Sequence, residues 1–239
     1  MWATLGALVA SGLAIGSQPS TDRPIRDLQR LAARMDLTTT GAARWLAALG
    51  VADGTAGERL LVLSAAGEIV AVRDGSAASV RVDGDLDRHL RNSGADLVLL
   101  HNHPLSRGLS ADDLLQLAKP GVAAIVALGH NGSIYMAGRG RRFDADHFEA
   151  QYVAAREEVE HRVRSEQEGQ ADARVFYQTQ FSHLVSRVLD GAGVISYYAV
   201  LTPEPRASLD RYRLGVGRVV LGASAQLRAR WRSRVAKSR

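Results

Sequence analysis

The sequence DLVLLHNHP at residues 96–104 decides the fold around it and indicates the chemistry that the fold carries. The apolar run Leu97–Leu100 predicts a buried strand, which delivers His101 and His103 at its end. Because side chains two positions apart in a strand lie on the same face, both imidazoles can turn toward one ion. Asp113, in the Ser-Ala-Asp-Asp segment that follows, can add a carboxylate oxygen.

Two imidazoles and one carboxylate suit zinc, and three protein ligands leave a fourth position open. An open position is typical of a catalytic zinc and predicts hydrolysis. Ser110 precedes Asp113 by about one helical turn, so both side chains can face the same pocket. We expect Ser110 to donate to a developing oxyanion. The same serine can cap the helix predicted for Ala111–Ala118.

The segment from about Glu58 to Ala137 resembles the JAB/MPN metalloprotease family with its JAMM motif, and residues 98–104 are especially similar to RadC-type and prophage-encoded members. The resemblance covers about a third of the chain. It implies a cytidine-deaminase-like core and a peptidase that cuts peptide or isopeptide bonds. The residues to which it assigns roles are the zinc ligands His101, His103 and Asp113, the oxyanion donor Ser110 and an upstream glutamate that acts as general acid and base.

The upstream glutamate has two candidates in this sequence. Glu58 opens the first strand of a predicted hairpin over Glu58–Arg73, which is where RadC-like members carry theirs. Glu68 follows the turn of that hairpin, where a solvated carboxylate is expected. The loop Pro104–Leu109 is one residue shorter than is usual in the family, and we expect Gly108 to absorb the difference through its backbone freedom.

Composition limits the class of protein. The chain has 239 residues, 46% of them hydrophobic, and no cysteine, so disulfides and cysteine-zinc sites are excluded and a cytoplasmic location is expected. The domain prediction is an N-terminal helical segment over residues 1–52, a JAB/MPN-like catalytic domain over 53–143, and a helical C-terminal region with a basic tail over 144–239.

The alternation of elements predicts an α/β (α+β) fold with a mixed sheet flanked by helices. A short edge strand is expected at Ser79–Val82 and a solvated imidazole at His130, in a turn between two strands. The apolar stretch Met1–Gly16 lacks a basic n-region and is short for a membrane span. A packing helix is the preferred interpretation of that stretch, with a membrane segment as the alternative.

The tail Gln226–Arg234 interleaves arginines with Trp231. It can bind nucleic acid by phosphate contacts and base stacking, or simply be a basic helix end that needs no ligand. Three functions therefore compete: a zinc peptidase acting on a protein or peptide, a nuclease or nucleic-acid-binding protein, and a non-catalytic phage or toxin-associated module. The complete motif favours the peptidase, and nothing in the sequence identifies its substrate.

Overall fold

The computed structural model describes residues 23–51, 57–76, 79–92, 94, 96–167 and 171–237. The apolar stretch Met1–Gly16 lies outside these residues. The helices of the described part are α1 (Arg23–Arg34), α2 (Thr39–Ala48), α3 (Gly84–Asn92), α4 (Ala111–Leu115), α5 (Phe148–Gln167), α6 (Ala171–Ala192), α7 (Pro203–Arg211) and α8 (Arg213–Lys237). The strands are β1 (Arg59–Leu63), β2 (Ile69–Asp74), β3 (Leu97–His103), β4 (Val122–Gly129), β5 (Ile134–Arg139) and β6 (Ile195–Val200).

The described strands form one mixed, open sheet in the order β2-β1-β3-β4-β5-β6, so the predicted α/β class with a mixed sheet is confirmed. β3 and β4 are parallel, and the other neighbouring pairs are antiparallel. A parallel pair needs a crossover connection, and α4 with the 3-10 turn Gln116–Ala118 provides it. β3 therefore lies in the interior of the sheet, with β1 and β4 on either side of its C-terminal end.

Helices cover both faces of the sheet, which explains why β3 is apolar without alternation. Leu97 and Leu99 pack into the larger core cluster, together with α3, α4, α5, α6 and α8. Val98 and Leu100 face the smaller cluster, which α1 and α2 complete. His101 and His103 continue the odd-numbered series and so lie on the face of the larger cluster.

The C-terminal region completes the same sheet and core. β6 pairs with β5 over Ile134↔Val200 to Arg139↔Ile195, and residues of α5, α6 and α8 belong to the larger core cluster. No helix among the described residues has the length and apolar character that a membrane crossing requires. The edge strand predicted at Ser79–Val82 is wrong, since these residues form no strand in the structure.

A buried histidine in α6 makes the stability of the fold depend on pH. His183 is 4% exposed, and its Nδ1 lies 2.9 Å from the Tyr197 hydroxyl. Burial, helped by the positive charge of Arg187, lowers the pKa of His183 to about 3. The folded state thus binds fewer protons than the unfolded state between the ordinary histidine pKa of 6.5 and about 3.

We expect His183 to stabilise the fold fully above pH 6.5 and progressively less as the pH falls toward 3, with a total effect of up to about 5 kcal/mol. His183→Gln should flatten the decrease in unfolding free energy between about pH 6.5 and 4.5, measured by urea denaturation. The matched control is His89→Gln, because His89 is exposed on α3. Parallel pH profiles for the two variants would contradict this assignment.

Candidate metal centre

The C-terminal end of β3 brings two buried imidazoles together. His101 and His103 are 2% and 8% exposed, and their Nε2 atoms lie 2.8 Å apart. β1 ends its pairing with β3 at Leu60↔His101, while β4 continues alongside to His103↔Gly129. The sheet therefore fixes the backbone of both histidines and leaves their rings facing α4.

A capping box at the start of α4 places the third candidate ligand. The Ser110 hydroxyl accepts a hydrogen bond from the Asp113 N–H at 3.1 Å, and the Ser110 N–H donates to Asp113 Oδ2 at 2.7 Å. This reciprocal pair holds the carboxylate back over the first turn of the helix. Asp113 Oδ1 then lies 3.0 Å from His101 Nε2, and Oδ2 lies 3.3 Å from His103 Nε2.

These side chains form a group that fits a metal ion. Among the described residues, His101, His103 and Asp113 are the set of three potential ligands whose donor atoms all lie within 4.8 Å of one another. Ligand atoms of a tetrahedral zinc, each about 2.0–2.1 Å from the ion, are about 3.3 Å apart. The observed separations of 2.8, 3.0 and 3.3 Å are close to that value. The donor set of two nitrogens and one oxygen suits zinc.

The electrostatics of the group favour an ionised carboxylate. Burial of Asp113 opposes ionisation, but the charges and hydrogen bonds of His101 and His103 outweigh it and hold the pKa of Asp113 well below its usual range. Burial likewise opposes protonation of His103, but the hydrogen bond and charge of Asp113 prevail, with help from the Arg107 carbonyl and Glu58, and raise the pKa of His103. The pocket thus stabilises positive charge next to Asp113.

A loop behind β3 orients one of the two rings. His103 Nδ1 lies 2.9 Å from the Arg107 carbonyl, so the ring donates there and presents the lone pair of Nε2 to the centre. In this loop Ser106 takes the left-handed conformation, with φ 51°, and Gly108 does not, so the compensation expected from Gly108 stays a prediction. Gly108 is needed for close approach: a Cβ there would lie 3.0 Å from the backbone nitrogen of His183.

Of the two candidate glutamates, the structure brings Glu58 to this group. Burial raises the pKa of Glu58. The charges of His103 and His101 oppose this rise, and the charge of Asp113 adds to it. The carboxylate of Glu58 therefore lies within electrostatic reach of all three side chains. The Val80 N–H donates to that carboxylate, so this donor is not available for strand pairing. Glu68 is exposed at the opposite end of the β1–β2 hairpin.

Ser110 lies next to the carboxylate, as expected, and caps α4 as predicted. Its hydroxyl donates to Asp113 Oδ2 at 2.7 Å. The role of oxyanion donor stays a prediction, since that hydrogen bond has to be exchanged before Ser110 can donate to a substrate.

Sequence reasoning missed the part that Asn102 plays. Asn102 is fully buried, its Oδ1 accepts from the Arg59 N–H at 2.7 Å, and its Nδ2 donates to the Gly57 carbonyl at 3.1 Å. The amide therefore forms hydrogen bonds with the backbone on both sides of Glu58. These bonds connect β3 to the first residue of β1 and to the chain before it, beyond the last β1–β3 pair. The available signal was the position of Asn102 between two candidate ligands, since the middle residue of a strand triplet faces the opposite side of the sheet.

The same amide engages His130. Asn102 Nδ2 lies 3.0 Å from His130 Nε2, and burial lowers the pKa of His130. The ring is largely exposed, as the turn position predicted, and is not part of the potential ligand group. His130 therefore supports the orientation of Asn102.

The basic tail is part of α8, and much of it packs against the fold. Trp231 packs against the larger core cluster, Arg228 donates to the Gly191 carbonyl, and Arg230 forms an ion pair with Glu158 at 3.5 Å. Partial burial of Trp231 disfavours the stacking role considered from the sequence.

Comparisons with protein-family models, with curated proteins and with solved structures find no match for this chain.

Proposed function

We propose that this chain is a zinc-dependent hydrolase that cuts a peptide or isopeptide bond at a JAMM-type site. The observation that carries the proposal is the convergence of the His101, His103 and Asp113 donor atoms at the end of a central strand, with the Glu58 carboxylate within electrostatic reach of them. Glu58 and the histidine pair are more than forty positions apart in the sequence, yet the fold brings their charges within reach of one another. A motif match that arose by chance would not be expected to bring these residues together in the fold.

The JAB/MPN assignment of the core is part of the same proposal. The sheet order and the crossover from β3 through α4 to β4 support it, because the motif residues then lie around the C-terminal end of β3. A cytoplasmic location stays a prediction from the cysteine-free composition. That the substrate is a protein or a peptide also stays a prediction.

Each residue has a distinct role in the proposed reaction. Zinc, when bound, would polarise the scissile carbonyl and lower the pKa of a water molecule. Glu58 would take the proton of the attacking water and pass it to the leaving nitrogen, so that one side chain would serve first as general base and then as general acid. Ser110 would donate to the oxyanion from the rim of the pocket. The Arg107 carbonyl would hold the His103 ring in place.

Metal removal tests the proposal. Protein purified without added metal should contain about one zinc per chain, and dialysis against a chelator should remove both the zinc and any cleavage of peptide and isopeptide substrates. Added Zn²⁺ should restore cleavage and raise the melting temperature, whereas Mg²⁺, which prefers oxygen ligands, should do neither. Protein that takes up no zinc after reconstitution would refute the proposal and favour the non-catalytic module.

A further inference from the structure

Two arginines from distant parts of the sequence meet at the end of α6. Arg142 Nη1 donates to the Ala192 carbonyl at 3.2 Å, and Arg228 Nη1 donates to the Gly191 carbonyl. Because these carbonyls are consecutive, the two guanidinium groups are neighbours. The register of β5 and β6 puts this place at the opposite end of the sheet from the metal centre.

Two further arginines extend the group. A Cβ at Gly193 would lie 3.7 Å from Arg141 Nε and 3.7 Å from Arg142 Cδ, so both side chains run over this glycine. Arg232 follows Arg228 by one turn of α8 and shares its face. Burial lowers the pKa of Arg142, and the positive charges of Arg141, Arg232 and Arg228 lower it further, in agreement with their closeness. We call Arg141, Arg142, Arg228 and Arg232 the arginine cluster.

The helix end does not balance this charge. The C-terminus of a helix carries about half a negative charge, against the unit charge on each guanidinium. Arg142, Arg228 and Arg232 form no ion pair with another described residue, whereas nearby Arg162 and Arg230 both pair with Glu158. Like charges held together cost free energy unless an anion joins them. Arg142, Arg228 and Arg232 therefore give the surface at the end of α6 an excess of positive charge.

We propose that the arginine cluster is a binding site for consecutive phosphate groups. Guanidinium groups bind phosphate oxygens through paired hydrogen bonds, and neighbouring guanidiniums match neighbouring phosphates. A free polyphosphate and a nucleic-acid backbone both offer that chemistry. Since Trp231 packs against the core, the site contacts phosphates without stacking on bases, and binding to a nucleic acid is independent of sequence. This site does not depend on the proposed peptidase function.

Two probes test the site on the full chain: tripolyphosphate by calorimetry and a fluorescein-labelled oligothymidylate by anisotropy. Arg228→Gln/Arg232→Gln should weaken binding of the probe by about tenfold or more, as expected for the loss of charge-assisted hydrogen bonds. Arg232→Gln alone should weaken it several-fold, and it leaves the Arg142 and Arg228 contacts to α6 in place. The matched control is Arg213→Gln, an exposed arginine at the other end of α8, which should bind as the wild type does.

Competition between the probes identifies the source of the phosphates. Binding of both probes, with displacement of the oligonucleotide by tripolyphosphate and a steep loss of oligonucleotide affinity with salt, would show that a nucleic-acid backbone can occupy the arginine cluster. Binding of tripolyphosphate alone would assign it to a small polyphosphate. Equal losses in Arg213→Gln and Arg232→Gln would overturn the proposal, because binding would then reflect diffuse charge. Failure of the wild type to bind either probe at low salt would also overturn it.

Discussion

Glu58→Gln should keep zinc and lose turnover by a factor of about 10²–10⁴, the usual contribution of a general acid and base. The substitution preserves the size of the side chain and removes its ability to take a proton. Because the carboxylate of Glu58 is not one of the clustered donor atoms, zinc content should stay at the wild-type value. The measurements are metal content by elemental analysis and the cleavage rate of a peptide or isopeptide substrate.

Glu68→Gln is the matched control for this experiment. It makes the same chemical change in the same hairpin, but on an exposed side chain at the far end of β1. We expect its zinc content and cleavage rate to equal those of the wild type. Cleavage that survives in Glu58→Gln and falls in Glu68→Gln would reverse the assignment of the general base. Loss of zinc in Glu58→Gln would instead make Glu58 a ligand.

The second large effect is expected from His101→Ala/His103→Ala, which should contain almost no zinc and show no zinc-dependent cleavage. Two of the three donors are gone, and one carboxylate alone does not hold zinc at micromolar concentrations. His147→Ala is the control, since His147 is an exposed histidine that pairs with Asp144 outside the centre. Elemental analysis and a thermal melt with and without Zn²⁺ provide the measurements.

Stability has to be separated from metal binding in that double variant. Removing both histidines takes two partners from the partly buried Asp113 carboxylate, which keeps its hydrogen bonds from Ser110. Breaking a fully buried ion pair costs roughly 3–5 kcal/mol, and we expect a smaller cost at this site. His103→Gln alone keeps His101 beside the carboxylate and should fold, yet bind zinc much more weakly than the wild type. A folded His103→Gln protein with full zinc content would remove His103 from the ligand set.

Most of the centre could be predicted from the sequence because its parts are local. The β3 run, the Ser110 cap and the spacing to Asp113 each depend on residues close together in the chain, and the structure has them as predicted. The hairpin of β1 and β2 follows from apolar runs around the turn at Gly67, whose φ is 87°. Whether these residues perform zinc chemistry is a separate prediction that the experiments above decide.

The C-terminal elements were harder to predict, for reasons that lie in tertiary contacts. Glycines at positions 215, 217 and 222 argue against a long helix by propensity, yet α8 runs through all of them. A Cβ at Gly215 would meet the hydroxyl of the buried Tyr177, so this glycine permits close packing of α8 on α6, whereas one at Gly222 would displace the Arg162 guanidinium of α5. For α7 a signal existed but was overlooked: Thr202 followed by Pro203 at the first helical position.

Asn102 has a consequence for how such a centre changes during evolution. In an isolated His-x-His pair, the middle residue faces away from the ion and would be free to vary. In this chain it supports both neighbours of Glu58, so a substitution such as Asn102→Leu would leave the Arg59 N–H and the Gly57 carbonyl without a partner. The histidine pair and the backbone on either side of Glu58 are thus linked through the Asn102 amide. Relatives of this chain should therefore be sought with His-Asn-His as a single unit, and a sequence that keeps both histidines but loses the asparagine should have lost the placement of its glutamate as well.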